Sequence, residues 1–121
     1  MQVAFALREA LIELRDQGGW QGRRSVYRAR ADRVDGALEA MGVPLLLAAG
    51  DYSSMLRSYR FPEGLSYDRL HDPLKAAGFV IYAGQGALEV GVFRLAFMGD
   101  LRESDLDQLI ELLQRAIGVR A

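Results

Sequence analysis

Cysteine is absent from this chain, and histidine occurs once, at His71. Disulfides and thiolate metal sites are therefore excluded, and one chain cannot build a zinc site from several histidines. Lysine is also scarce, since Lys75 is the only lysine among the 15 basic residues. A mechanism that needs a reactive lysine therefore has a single candidate.

Net charge and long apolar runs are lacking as well. The formal net charge is −1, so the composition gives no general reason to expect binding to nucleic acid or to an anionic membrane. No apolar stretch approaches the roughly 20 residues of a membrane span. Arg8, Glu9 and Glu13 interrupt the region where a signal peptide would be uninterrupted and apolar. We therefore predict a cytoplasmic protein with no nucleic-acid partner and no membrane association.

The residues that are present suit one globular domain. The chain has 121 residues, of which 50% are hydrophobic, and this is enough for a single modest core. There is no internal repeat, linker or low-complexity tract. We predict one domain over residues 1–121.

Helical periodicity appears in four segments. A pair of glycines ends the first segment, and Pro73 lies inside the third, where we expect a kink or a frayed first half. Ser104 is the predicted N-cap of the last segment, whose apolar stripe ends at Gly118. The predicted helices span about residues 2–17, 20–41, 66–77 and 104–118.

Short runs with strand character lie between these helices. The predicted extended segments are VPLLLAAG (43–50), SSMLRSYRFP (53–62), FVIY (79–82) and VFRLAFM (92–98). The resulting order is α-α-β-β-α-β-β-α. It predicts an α+β fold in which helices cover a small, mostly antiparallel sheet.

Arg94 is the unexpected residue in the last of these strands. Alternation places Phe93, Leu95 and Phe97 on one face, and Val92, Arg94 and Ala96 on the other. A guanidinium in an apolar setting must reach water, a carboxylate of the protein or a ligand anion. Spacing alone favours an internal ion pair or exposure to solvent, and the nearby acids are Glu63, Glu89 and Asp100.

Two other patterns suggest binding more weakly. Residues 22–33 contain five arginines around Tyr27, which is conceivable for a nucleic-acid-binding helix. Asp32 and Asp35 follow closely, however, and this arrangement favours a solvated helix with internal ion pairs. The glycines of GQG (84–86) precede no predicted helix, so they indicate a turn rather than a phosphate loop.

Three segments together resemble a known family. YDRLHDPLKAAGFVIYAGQ, then VFRLAFMGDL, then SDLDQLIELLQRAIG are similar to the C-terminal end of class V, fold type I, pyridoxal-phosphate-dependent aminotransferases. The most similar subgroup is 2-aminoethylphosphonate–pyruvate transaminase. The N-terminal QVAFALREALIELRDQGG resembles the segment after that family's cofactor-binding core, so the resemblance covers nearly the whole chain.

The resemblance implies a specific role for this chain. It corresponds to the small C-terminal domain, with residues 1–19 as an interdomain helix. Arg94 occupies the position of the arginine that binds the carboxylate of an amino-acid or keto-acid substrate. The family's cofactor lysine, ring-nitrogen acid and phosphate cradle lie upstream, so no catalytic, cofactor-binding or metal-binding residue is expected here. We expect Lys75 to be a solvated helix lysine and the chain alone to be inactive.

Two arrangements follow from this resemblance. In one, the chain is a domain or a truncated form of a transaminase and pairs with a large domain that binds pyridoxal phosphate. In the other, it is a stand-alone α+β module for binding or oligomerisation. If no large domain covers the first helix, its apolar face is open, and exposed apolar patches promote association. We therefore predict a homodimer or higher oligomer through the N-terminal helix.

Overall fold

The computed structural model describes residues 1–118 and contains the four expected helices. Short 3₁₀ turns lie at Ala49–Asp51 and Gly86–Leu88. The bounds of the helices are α1 Gln2–Asp16, α2 Gly19–Ala40, α3 Tyr67–Ala76 and α4 Glu103–Ile117. Helix α3 is assigned as one continuous helix across Pro73.

The sheet has three antiparallel strands in the order β1-β3-β2. Their bounds are β1 Leu56–Arg60, β2 Tyr82–Ala83 and β3 Val92–Ala96. The α+β class, with a small antiparallel sheet covered by helices, is confirmed.

The prediction of a strand at 43–50 is wrong. Its contribution to the sheet is one bridge, Leu45 opposite Tyr59, with backbone hydrogen bonds from Leu46 N to Ser58 O and from Arg60 N to Pro44 O. Pro44 has no N–H to donate, so the segment cannot extend the ladder in that direction. It then turns into the 3₁₀ segment Ala49–Asp51.

The N-cap predicted for the last helix is also wrong. Arg102 occupies the N-cap position, and Ser104 lies inside the first turn of α4. The Asp105 carboxylate accepts a hydrogen bond of 2.8 Å from the Arg102 backbone N–H. An acid in the first turn also suits the positive end of the helix dipole.

One face of the sheet forms the core. Phe93, Leu95 and Phe97 are buried there, as their alternation predicted, and Tyr59 stacks on Phe93 with ring centroids 5.3 Å apart. Helices α2, α3 and α4 supply the opposite layer, which contains Ala31, Val34, Leu38, Leu70, Leu74, Leu106, Leu109 and Leu113.

The other face of the sheet is partly open. Ala96 and Tyr82 are exposed, Ser58 and Arg94 are half-buried, and Val92 is buried. We call these residues, together with Leu56 and Arg60, the open face.

Helix α1 differs from the others because none of its residues is buried. Val3 is 83% exposed, and Phe5, Leu7 and Leu11 are more than half exposed. The helix packs against α2. Gly18 and Gly19 make the corner between the two helices with positive φ angles, a conformation that disfavours residues with a Cβ.

Candidate functional site

Arg94 lies at the centre of the open face. It is the middle residue of β3, the central strand, and its register partners are Ser58 on β1 and Tyr82 on β2. Directly opposed residues of antiparallel strands have Cβ atoms about 5 Å apart, so Arg94 lies between two hydroxyl-bearing residues on the open face.

The polar partner of Arg94 is a backbone carbonyl. Its Nε donates a hydrogen bond of 2.9 Å to Ala83 O. Among residues 1–118, no carboxylate forms an ion pair with Arg94, and this includes Glu63, Glu89 and Asp100, the acids suggested by the sequence. Spacing alone favoured an internal ion pair or solvent exposure. Among residues 1–118 the structure shows no ion pair, and Arg94 is half-buried on the open face with no hydrogen-bond partner for its terminal nitrogens.

A second arginine on the neighbouring strand was not anticipated. Arg57 lies on the core face and is 3% exposed. Its Nε donates to Asp35 Oδ2 over 3.1 Å, another nitrogen donates to Ser53 O, and its guanidinium lies 5.3 Å from the centre of the Tyr52 ring. These contacts fix β1 to α2, so Arg57 is a structural residue. The available signal was the alternation of Arg57 with Tyr59 in a strand whose other face is polar.

Tyr59 completes this buried cluster. Its hydroxyl donates to Asp35 Oδ1 over 2.6 Å. Burial raises the pKa of Tyr59 well above its usual value, and the hydrogen bond to the Asp35 carboxylate raises the pKa further. The phenol therefore stays neutral as a donor across ordinary pH.

Two arginines in the middle of α2 are held by contacts with other parts of the protein. Arg30 donates to the carbonyls of Phe97, Gly99 and Leu101 over 2.7–3.1 Å. Arg33 pairs with Glu103 and Asp107 at the start of α4. Arg30 and Arg33 therefore tie α2 to the connection after β3 and to α4, while the absence of nucleic-acid binding stays a prediction.

The residues of this chain do not fit pyridoxal phosphate. Binding that cofactor takes a lysine and a phosphate cradle. Lys75 is exposed in the last turn of α3, a helix that packs on the core face, whereas Arg94 lies on the open face. Residues 84–86 lead into a three-residue 3₁₀ turn rather than a helix N-terminus.

Across residues 1–118, no group of three or more histidine or acidic side chains is arranged to hold a metal ion. None of the helices in this part of the chain has both the length and the apolar composition of a membrane span. The single histidine, His71, is half-buried, stacks on Tyr67 and bonds to Asp72 over 3.0 Å.

Sequence comparison finds 2-aminoethylphosphonate–pyruvate transaminases that match nearly the whole chain. No family model matches. A 2-aminoethylphosphonate–pyruvate transaminase from Bacillus cytotoxicus is 33% identical over 113 residues, which are 93% of this chain and 31% of the relative. The chain is similar to the C-terminal part of class V aminotransferases. It spans about a third of the length of the curated relatives that it matches.

Solved structures show the same fold. An alanine–glyoxylate aminotransferase from Nostoc sp. superposes with a TM-score of 0.83 at 24% identity, covering 93% of this chain and 30% of that one. A ureidoglycine–glyoxylate aminotransferase from Bacillus subtilis gives 0.82 at 21% identity, with the same coverage. A coverage of 93% leaves too few residues outside the match to omit all 15 residues of α1, so at least part of this helix belongs to the shared fold.

Proposed function

We propose that this chain serves as the small C-terminal domain of a pyridoxal-phosphate-dependent aminotransferase similar to 2-aminoethylphosphonate–pyruvate transaminase. In this role Arg94 binds the carboxylate of an amino-acid or keto-acid substrate. The observation that carries the proposal is a half-buried arginine at the centre of the open face, with no acid of residues 1–118 paired to it. The sequence match over 93% of the chain supports the same role.

The chemistry of the site suits a carboxylate. A planar guanidinium offers parallel N–H donors that match the two oxygens of a carboxylate. The half-buried setting strengthens such a pair relative to one in bulk water. Ser58 and Tyr82 are the register partners of Arg94 on the two neighbouring strands, and their hydroxyl groups are donors that suit further oxygens of the substrate.

The cofactor would belong to a large domain that this chain does not include. Pyridoxal phosphate, when bound there, supplies the electron sink of the reaction. Because the residues described here do not fit that cofactor, we propose that the chain alone is inactive. Adding pyridoxal phosphate to the purified chain should give no absorbance band of a lysine-linked cofactor. A band that disappears in Lys75→Ala would contradict this part of the proposal.

A chimeric enzyme tests the role of Arg94. The C-terminal third of the Bacillus cytotoxicus transaminase is replaced by this chain, and activity with pyruvate is measured. Arg94→Ala removes a bidentate ion pair to the substrate, which we expect to cost about 3 kcal/mol of binding free energy. This loss corresponds to a KM for pyruvate raised about 100-fold. Arg60→Ala is the matched control, since Arg60 is an exposed arginine on the same sheet face. Equal effects of the two substitutions would argue against Arg94 as the carboxylate ligand.

The exposed helix α1 supports a second candidate, a homo-oligomer. Its apolar side chains are uncovered here, and burying them against a second copy would remove them from water. We propose that the isolated chain associates through α1. Light scattering should show a dimer or larger species that Leu7→Ser with Leu11→Ser dissociates. The control is Val90→Ser, which changes a residue that is 90% exposed in a turn. A monomeric native chain at high concentration would overturn this candidate.

The two candidates differ in the natural size of the protein. We propose a cytoplasmic location for both. The intact mass in an extract of the native source, detected with an antibody to this region, separates them. A mass near three times that of the chain supports the transaminase domain, and 13.4 kDa supports a free-standing module.

A further inference from the structure

The hydrogen bond of Arg94 to Ala83 O determines which pair of its nitrogen donors stays free to bind an anion. A guanidinium pairs with a carboxylate through two parallel N–H donors, which can be Nε with one Nη or the two Nη atoms. In this structure Nε already donates to Ala83 O, and the two Nη atoms have no partner among residues 1–118. The edge formed by both Nη atoms is therefore the one left for an anion.

The acceptor carbonyl is fixed by a tight turn. Ala83 ends β2, and the next residue, Gly84, donates its N–H to Val92 O over 2.7 Å. The chain then folds back through the 3₁₀ segment Gly86–Leu88, so that a Cβ at position 84 would collide with the backbone carbonyl of Leu88. Only glycine fits this close approach, and a larger residue would force the turn to move.

The far end of the turn is also tied to the sheet. Gly91 N donates to Leu88 O, and Gly91 O accepts from Phe61 N over 3.1 Å, just beyond the end of β1. The turn is thus anchored at both ends beside the central strand. A displacement at position 84 would be passed to the neighbouring Ala83 carbonyl.

We propose that the turn at residues 84–91 is a positioning element for Arg94. The turn holds the Ala83 carbonyl, this carbonyl accepts from Nε, and the guanidinium then presents both Nη atoms to the substrate carboxylate. The inference rests on the proposed role of Arg94 in binding that carboxylate. Ala83 and Gly84 act through Arg94 and do not touch the substrate.

Two glycine variants of the same turn test the inference in the full chain. Gly84→Ala creates the collision, whereas a Cβ at Gly91 would meet nothing within 4 Å on an unstrained backbone. Acetate is titrated at constant ionic strength while the guanidinium resonances of Arg94 are followed by NMR. Losing a charged hydrogen bond predicts about tenfold weaker acetate binding in Gly84→Ala, and a change within about twofold in Gly91→Ala. Equal binding by both variants would overturn the proposal.

A measurement on the native chain keeps the test valid if Gly84→Ala does not fold. The Nε–H of Arg94 should exchange slowly with water and show a coupling across the hydrogen bond to the Ala83 carbonyl carbon. Acetate should shift the Nη resonances more than the Nε resonance. Absence of the coupling, or a shift centred on Nε, overturns the positioning role.

The proposed function fails in a different way. The backbone amide resonances of β3 report acetate binding in native protein and in Arg94→Ala alike. If the Nε coupling is present but these amide resonances shift equally with acetate in both proteins, Arg94 is held in place without binding a carboxylate. That result contradicts the proposed role of Arg94 and with it the carboxylate part of this inference. An absent coupling with acetate binding that depends on Arg94 contradicts the positioning role alone.

Discussion

Arg57 and Arg94 lie on adjacent strands one residue apart in register, yet they have opposite environments. Arg57 faces the core, where Asp35, Ser53 O and the Tyr52 ring surround its guanidinium. Arg94 faces the open side of the sheet, where one backbone carbonyl holds its Nε. Removing one member of a buried ion pair leaves the other charge uncompensated, so the fold depends on Arg57, whereas an arginine with unused donors is available to a ligand. Residue type alone does not distinguish these roles.

Among the substitutions that test this comparison, removing Arg57 should change the free energy of unfolding most. Arg57→Ala leaves the Asp35 carboxylate, whose side chain is 16% exposed, without its cation. We expect a loss of about 3 kcal/mol in the free energy of unfolding, because breaking a buried pair leaves an uncompensated charge. Urea unfolding at a fixed protein concentration measures the change. Arg60→Ala, at an exposed arginine of the same strand, should stay within about 0.5 kcal/mol. Equal losses would show that the Arg57 contacts contribute little.

Tyr59→Phe weakens the same cluster to a smaller extent. It removes the 2.6 Å hydrogen bond to Asp35 and keeps the stacking on Phe93. A loss of about 1.5 kcal/mol in the free energy of unfolding is expected for a hydrogen bond to a charged group. Tyr52→Phe is a control whose hydroxyl bonds only to backbone groups of residues 1–118. A smaller loss in Tyr59→Phe than in Tyr52→Phe would contradict the assignment.

The same tyrosine predicts a dependence of stability on alkaline pH. Burial, and then the bond to Asp35, raise the folded-state pKa of Tyr59, so the folded protein holds this proton more tightly than the unfolded chain does. The stabilisation is complete below the unfolded pKa of about 10 and is lost as pH rises above it. Unfolding midpoints from pH 8 to about 11 should fall more steeply for the native chain than for Tyr59→Phe. Parallel curves would exclude Tyr59 as the cause.

Arg94→Ala should scarcely change stability. One hydrogen bond to a carbonyl is removed from a half-buried position, so we expect a loss of less than about 1 kcal/mol in the free energy of unfolding. Acetate binding by the same variant should disappear. A stability loss as large as that of Arg57→Ala would mean that both arginines are structural and that the contrast between them is false.

Ser58→Asp is expected to make Arg94 resemble Arg57. The new carboxylate would lie directly opposite Arg94 on β1 and could pair with its free Nη atoms. Cross-strand pairs of opposite charge contribute about 0.5 kcal/mol, so stability should rise slightly while acetate binding is lost. The control is Ser58→Asn, whose side chain has the same shape as aspartate but adds no charge. Acetate binding retained in Ser58→Asp would indicate that the anion reaches Arg94 from elsewhere.

The helices were predictable because their signal is local. Apolar spacing located α1, α2, α3 and α4 closely, and alternation placed Phe93, Leu95 and Phe97 in the core. The strand prediction at 43–50 was wrong because an apolar run alone does not determine strand pairing. Pairing here depends on the position of β1 and on Pro44, which has no N–H to donate. Ser104 is a good N-cap residue by type, but the helix begins one residue earlier, at Glu103.

The site was predictable in part. Alternation put Arg94 on the less apolar face, and the family resemblance supplied its proposed ligand. The Ala83 carbonyl, 11 residues away in sequence, was not predictable because the bond depends on the β2–β3 register and the turn between them. The Arg57 cluster joins positions 22 and 24 residues apart on a helix and a strand, and no local spacing encodes such a contact.

The three hydrogen bonds of Arg30 have a practical consequence for labelling this protein. Residues 98–100 look suitable for a tag or fluorophore because their side chains are exposed and lie between β3 and α4. Their backbone, however, is held to α2, because Arg30 donates to the carbonyls of Phe97, Gly99 and Leu101. An insertion between these carbonyls would move them apart, and one guanidinium could no longer reach all three. Exposed backbone without such ties tolerates insertions best. The turn at Glu63 and Gly64, before α3, is the better place to attach a reporter, since its ties are the local bond from Leu65 N to Pro62 O and one long bond of 3.4 Å from Arg69 to Gly64 O.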